Sequence, residues 1–279
     1  MDIELLRTFL EVARTRHFGK AADKLCVTQS AVSARIRQLE QTLDKPLFTR
    51  SRNNIQLTHE GQQLRKHAET IVQVWSRARQ ETGLGEAYSR ALVIGAVPDL
   101  WYTLLDGWLQ RLRLQMTDTA LQAEATTSDI LIRKLLDNVI DLAILFDVPQ
   151  LPEFEIRELA AIRLVLAATQ PGQPLPKALG AGYILVDWGT AFNMQHTRHY
   201  PDIAGPALRM NQGLLAWKYL QQSDGAAYLP EQLLAQGAGI RPLYQVEGAS
   251  IIERPVYAVF ASTGERVNIV QEALQFMRS

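Results

Sequence analysis

Between Ala21 and Glu40 the chain, read at about 100° per residue, separates into two faces. Val32, Ile36, Leu39 and Leu43 fall on one side of a helix, and Ser30, Ser33, Ala34 and Arg37 fall opposite. The pattern predicts a helix that buries its aliphatic stripe and turns a short, hydrogen-bonding face outward. Thr28 stands where an N-cap side chain accepts a bond from a free backbone N–H, so Gln29 and Ser30 occupy the first turn. Upstream, Leu5, Leu6, Phe9, Val12 and Ala13 make the stripe of a first helix, and Ala21 and Ala22 are small enough for a second helix to cross the third closely. Cys26, in the turn between the second and third helices, reads as a small buried hydrophobe. Pro46, Leu47 and Phe48 pack a return segment. Thr49, Arg50, Ser51, Arg52, Asn53 and Asn54 then form a basic, turn-rich loop before Ile55, Gln56 and Leu57. The whole is a winged helix-turn-helix, whose third helix would offer its first turn to a major groove beside a cationic wing.

Leu64, Ala68, Ile71, Trp75, Ala78 and Thr82 recur at alternating steps of four and three, a heptad seam. A helix of about twenty residues is roughly 30 Å long. Its other faces carry Arg65, Lys66, Glu69, Arg77, Arg79 and Glu81, so the seam is expected to pair with a second copy. A helix packed on its own domain would explain the stripe but not the polar residues around it. Gly83 and Gly85 make a hinge.

From Ala91 the rhythm changes. Leu92 to Val97, Leu121 to Ala125 and Leu142 to Phe146 are short apolar runs. They alternate with helices marked by Trp101, Leu104, Leu105, Trp108 and Leu112 and by Ile130 to Asn138. This βαβαβ order predicts a parallel sheet. A second cycle holds strands at Ile162 to Ala167, Tyr183 to Val186, Leu208 to Met210, Ala226 to Leu229 and Val256 to Phe260, with a helix from Leu214 to Leu220. The last helix, Val267 to Phe276, is expected to return and cover the first subdomain. The predicted organisation is an α/β chain with an N-terminal all-α winged helix-turn-helix (1–58), a linker helix and hinge (59–89) and a two-lobed α/β domain (90–279). Its lobes are 90–160 plus 265–279, and 161–264.

With 279 residues the chain has ample sequence for two or three cores. Its net charge of zero is unevenly spread: residues 1–89 carry 14 Lys and Arg against 10 Asp and Glu, and the remainder carries 15 against 19. The cationic end is the one expected at DNA. A single cysteine excludes an internal disulfide, no run is long enough to span a bilayer, and the first residues lack the apolar core of a signal peptide. A cytoplasmic protein without a membrane partner is expected. Hydrolase, phosphate-loop and zinc motifs are missing from the sequence, so neither catalysis nor a cofactor is expected. His196 and His199 have a metal-ligand spacing, but Pro201 just beyond them reads as a partly exposed loop, and no metal is expected.

The run Gln29, Ser30, Ser33, Ile36, Leu39, Glu40, Leu43, Leu47, Phe48, Arg50, Leu57, Thr58, Gly61 resembles the DNA-binding domain of LysR-type transcriptional regulators. Two positions depart from it: Asp44 stands where glycine is usual after the third helix, and Glu60 stands where a small residue precedes Gly61. The two α/β lobes resemble the effector-binding domain of that family and periplasmic solute-binding proteins. The segment Trp188, Gly189, Phe192, His196 resembles a block in a branch that includes a repressor of a flagellar master operon. The resemblance implies a regulator that binds double-stranded DNA through Thr28, Gln29, Ser30, Ser33, Ala34 and Arg37 on the helix and Arg50, Arg52 and Asn53 on the wing. It implies a homodimer joined through Leu64, Ala68, Ile71, Trp75 and Ala78, with a homotetramer beyond that.

Small molecules bind open parallel sheets beyond the carboxyl ends of strands, near helix N-termini. That rule selects Asp99, Trp101, Thr126, Thr127, Ser128 and Phe146 from one lobe, and Trp188, Phe192, His196 and Asn211 from the other, as an effector site. Thr126 to Asp129 reads equally well as a helix cap. The family resemblance implies a Ser or Thr near position 99 that holds a ligand carboxylate. An ionised Asp99 would repel one. Either it caps its own helix, or the ligand offers donors such as an amine or hydroxyls. The competing functions are a solute-binding receptor with a helical dimerisation region, which calls for a secretion signal, and a ligand-independent architectural DNA-binding protein, which has no need of two lobes.

Overall fold

The computed structural model describes residues 2–51, 54–83, 88–148, 151–203, 205–235 and 240–277. It divides into two units, Met1–Gly85 with Asp137–Val139, and Glu86–Leu136 with Ile140–Ser279. The first holds α1 (Ile3–Thr15), α2 (Phe18–Leu25), α3 (Gln29–Leu43), an antiparallel pair β1 (Phe48–Ser51) and β2 (Asn54–Leu57), and α4 (His59–Thr82).

Helix starts in this unit are set by side chains that accept first-turn N–H groups. Asp2 Oδ1 accepts from Glu4 N (2.9 Å), His17 Nδ1 from Gly19 N (3.0 Å), Thr28 Oγ1 from Ala31 N (3.2 Å) and Thr58 Oγ1 from Gly61 N (2.9 Å). The first three helices end on Arg16, Cys26 and Asp44 in the left-handed region, at φ 51, 53 and 49°. Asp44 thereby keeps the turn that glycine usually makes, with Lys45 N donating to Glu40 O at 3.1 Å. Glu60 sits in the first turn of α4, where its charge suits the helix's positive end. A Cβ on Gly61 would stand 2.2 Å from the Leu47 carbonyl oxygen, so only glycine lets α4 begin here.

Leu6, Phe9, Val12, Val32, Ile36, Leu39 and Leu47 form the core, with the Phe48 ring 5.4 Å from Phe9. Two expectations fail. Leu43, the last residue of α3, is exposed past the packed part of the helix, and Cys26 is exposed because it lies in the left-handed C-cap rather than on the buried face of α2. The seam of α4 divides: Ala68 is buried and Leu64 and Val72 pack on this unit's own core, while Ile71, Val74 and Trp75 stay 38, 42 and 47 % exposed.

The second unit opens with β3 (Arg90–Ala96), α5 (Pro98–Leu100) running through a π-helical turn (Trp101–Leu105) into α6 (Asp106–Gln115), β4 (Thr119–Ala125), α7 (Ser128–Leu136) and β5 (Leu142–Leu145). There follow β6 (Phe154–Ala168), α8 (Leu175–Ala178), β7 (Tyr183–Val186), α9 (Thr190–His199), β8 (Leu208–Met210), α10 (Gly213–Leu220), β9 (Ala226–Pro230), α11 (Glu231–Ala235), β10 (Tyr244–Gln245), β11 (Ile252–Ala261) and α12 (Val267–Gln275). The sheet order among the described residues is β4-β3-β5-β11-β6-β9-β7-β8, with β10 against β6.

Lobe 1 is built on the parallel β4-β3-β5, lobe 2 on the parallel β9-β7-β8. The long antiparallel pair β6 and β11 serves both, since Tyr257–Phe260 pairs with β5 and Leu164–Ala168 with β9. As expected, α12 returns to lobe 1: Trp108 Nε1 donates to Ala273 O (3.0 Å), and Arg90 reaches Glu272 at 2.7 Å. Several elements differ from the sequence reading, which names no α8, α11 or β10; two of the differences bear on the site. β6 begins at Phe154, well before Ile162, because β11 supplies a partner along its length. His196 and His199 lie on helix α9, not in a loop.

Candidate functional site

At the start of α3 the Thr28 hydroxyl is engaged in the helix itself, capping Ala31 N and meeting Ser30 Oγ at 2.9 Å. Gln29, Ser30, Ala34 and Arg37 are exposed and Ser33 is half-buried, all off the face that buries Val32, Ile36 and Leu39. Arg37 Nε donates to Ser33 O (3.2 Å), which lays its guanidinium along the helix. A Cβ on Gly19 would stand 3.7 Å from the Gln29 side-chain oxygen, so the N-terminus of α2 lies beside the first turn of α3. Lys20, exposed next to that contact, adds a cation at this edge. Sequence reasoning missed it, although a lysine directly after a helix-opening glycine was visible. Glu40 Oε1 accepts from Leu47 N (2.8 Å) and ties α3 to the β-pair. Arg50 lies in β1, and Arg52 and Asn53 fall outside the described residues.

The residues chosen for the effector site do not share one surface. Asp99 caps neither its own helix nor a free opening. Its Oδ1 accepts from Leu214 N at 3.2 Å, and the Gly213 N–H also bonds it, so a lobe 1 carboxylate closes the N-terminus of α10 in lobe 2. Burial pushes the Asp99 carboxyl above its ordinary value, and the two N–H groups pull it back in part. Trp188 packs on the same spot. A Cβ on Gly213 would come within 2.3 Å of its Cη2 and Cζ2, and its Nε1 donates to Tyr228 O (2.9 Å).

Phe192 and His196 are corrections. Neither can wall a cleft, because Phe192 is fully buried and His196 is 5 % exposed within lobe 2. His196 Nε2 meets Tyr183 Oη at 2.8 Å with the rings stacked, while the Phe192 and Tyr228 rings lie 5.5 and 5.8 Å from the imidazole. Burial lowers the His196 pKa below its ordinary value, aided by His199. On lobe 1 the Thr127 hydroxyl bonds the Asp129 carboxylate, and the Thr127 carbonyl accepts from Leu131 N at 3.0 Å, so this segment caps α7. Ser128 and Thr126 are half-buried and Asn211 is exposed.

Phe146 brings in residues the sequence did not point to. Arg254 on β11, 1 % exposed, stacks over the Phe146 ring at 5.3 Å and donates from a terminal nitrogen to Asp147 Oδ1 at 2.9 Å. Its Nε has no hydrogen-bond partner among the described residues. Gly189 (φ 91°) closes over the pair, since a Cβ there would lie 2.2 Å from Asp147 Oδ2. The sequence carries no signal for it, since the left-handed φ of that glycine is a property of the fold. Beside the Asp99 contact an open groove of about 600 Å³ runs between the lobes, lined by Pro98, Trp101, Tyr102, Glu124, Leu214 and Trp217 among others. Trp101 is thus the one predicted site residue on its wall.

Residues 3–62 match the model of the bacterial regulatory helix-turn-helix protein of the lysR family, and residues 85–279 match that of the LysR substrate binding domain. The chain is 37 % identical over 278 residues to the HTH-type transcriptional regulator HdfR of Salmonella dublin, covering 99 % of this chain and 98 % of the relative. The regulator of the same name from Salmonella typhimurium is 36 % identical over 278 residues, with the same coverage. Among solved structures, CbnR, a LysR family transcriptional regulator, aligns with a TM-score of 0.77 at 18 % identity over 100 % of this chain and 98 % of that one. Full-length CbnR in complex with its target DNA aligns at 0.76 and 18 % identity, over 100 % and 99 %. At that identity these two speak for the fold alone.

Proposed function

Because the chain belongs to the LysR family of transcriptional regulators, we propose that two copies read a two-fold DNA site through α3, and that a small molecule between the lobes changes how they hold it. The observation that carries the first half is the exposed, polar first turn of α3 on a rigid core. Gln29, Ser30 and Ser33 are placed to bond base edges, Ala34 to touch a thymine methyl, and Arg37, Lys20 and the wing residues Arg50, Arg52 and Asn53 to hold phosphates or the minor groove. Ile71, Val74 and Trp75 on α4 supply the pairing face, with Ala78 half-buried beside them, while Leu64 and Ala68 serve their own unit. A closed pair of identical chains calls for an inverted repeat in the DNA, and pairs of dimers would lengthen it. The work is done by binding rather than catalysis, in the compartment that holds the DNA. The match of residues 3–62 to the helix-turn-helix model of the lysR family supports this reading.

Footprinting of the full chain on genomic fragments, with and without a metabolite panel, tests it. Protection of an inverted repeat, altered in length or position by at least one metabolite, is the expected result. Uniform coverage without preferred sites would sink it.

A further inference from the structure

Two carboxylates of lobe 1 point at lobe 2, and both are already met there. Asp99 bonds the Leu214 and Gly213 N–H groups at the start of α10, while the helix's own N-cap residue, Gln212, makes no side-chain bond to it. Asp147 pairs with the buried Arg254 under Gly189. Free N–H groups at a helix N-terminus and a buried guanidinium are the two features that would attract an anion from solution. We infer that the cleft carries its own anionic ligands: Asp99 fills the N-terminus of α10 and Asp147 neutralises Arg254, so the lobes are latched from within and the effector is a molecule without a free carboxylate.

The fit around Asp99 is specific. Gly213 is the residue that allows it, because any side chain there would collide with Trp188 and hold α10 away from the carboxylate. The contact spans 115 positions of sequence and crosses from one lobe to the other, so it restrains their separation rather than a local turn. A free carboxylate entering here would have to displace Asp99 and would meet its charge at a distance where like charges repel strongly. The groove beside the latch fits the same class of ligand, since its lining offers indole and phenol rings and the Asp106 carboxylate. The one cation paired at its wall among the described residues, Lys134, is engaged by both oxygens of Glu124 at 2.7 Å.

This inference rests on the cleft being the effector site. Its test uses neither DNA nor effector, so the latch can fail while that reading stands, and the reverse. Residue-resolved hydrogen exchange on the full chain reads the Gly213 and Leu214 amides directly. In the wild type both should be protected at least tenfold, and formate at constant ionic strength should change nothing. Asp99→Ala should lose that protection, and formate should restore it saturably by occupying the vacated position. Asp99→Asn, which keeps an acceptor, should retain most of the protection, and decides the matter with the wild type if the alanine variant does not fold. Unprotected amides in the wild type, protection that survives in Asp99→Ala, or formate acting equally on wild type and variant would each overturn the inference.

Discussion

On α3 the side chains that can bond a partner face solvent: Gln29, Ser30 and Arg37 are exposed, although Thr28 caps the helix, Ser30 Oγ meets Thr28 Oγ1 and Arg37 Nε donates to Ser33 O. In the C-terminal unit the comparable groups are already partnered. Asp99 is held by α10, Asp147 by Arg254, and His196 by Tyr183. One surface keeps its polar side chains in solvent, tied at most to their own helix. The other has engaged its own, Asp99 and Asp147 between the lobes and His196 inside lobe 2, so a ligand bound at the proposed cleft would compete with bonds that already exist. Such a ligand shifts the balance only by its difference in affinity between the latched and unlatched arrangements.

The sharpest break of this contrast lies at Phe192. If it belongs to the lobe 2 interior, Phe192→Ala should cost about 3–5 kcal/mol of stability, visible as an earlier urea transition of the C-terminal unit. A variant of wild-type stability that has lost only its response to metabolites would return Phe192 to the cleft wall and undo the contrast. Next in size is the pairing face of the first unit. Trp75→Glu should weaken self-association by about 2 kcal/mol or more, giving monomers by light scattering at concentrations where the wild type is dimeric. An unchanged dimer would place the interface elsewhere.

Smaller effects grade the DNA face itself. Gln29→Ala should lose about 1–3 kcal/mol of discrimination between operator and random DNA while leaving stability unchanged. Arg37→Ala should weaken binding to every sequence alike and flatten its salt dependence by about one phosphate contact. If the two variants exchange these signatures in a binding titration, the orientation of α3 in the groove is reversed.

The smallest effect concerns pH. Folding lowers the His196 pKa, so its neutral form is the one the fold prefers. The stability it contributes is present above the ordinary histidine value of about 6.5 and is lost as pH falls through the lower, folded value. Thermal unfolding should therefore show a midpoint that declines in mildly acid buffer. His196→Gln, which can still accept from Tyr183, should decline less. Parallel curves would mean that His196 is not buried neutral.

What was legible in the chain was local. The faces of α3 repeat at 3.6 residues and its cap sits one residue ahead, so a short window contains the whole signal. The parallel strands of both lobes announced themselves as apolar runs. The misses share a different cause. α9 turns only Phe192 and His196 inward among polar neighbours, which leaves no stripe to see. The first half of β6 is a strand because β11, about a hundred residues later, pairs with it. The same holds for the latch, because nothing near Asp99 names Leu214, and Arg254 drew no notice as one basic residue in a strand. The cleft residues were chosen by a rule about strand ends, which finds the right end of the sheet but cannot say which side chains reach solvent.

Arg16, Cys26 and Asp44, the left-handed residues that end the first three helices, leave the DNA-binding unit with room for improvement. A side chain in that conformation carries a penalty of about 1–2 kcal/mol, more than the roughly 0.5–1 kcal/mol of chain entropy that glycine loses on folding. Glycine at Arg16 and Cys26 is therefore expected to stabilise the unit by a small margin, and at Asp44 by less, since aspartate adopts this conformation more readily. For anyone wishing to build on the scaffold, these three positions allow glycine to be introduced for thermal tolerance without touching the first turn of α3.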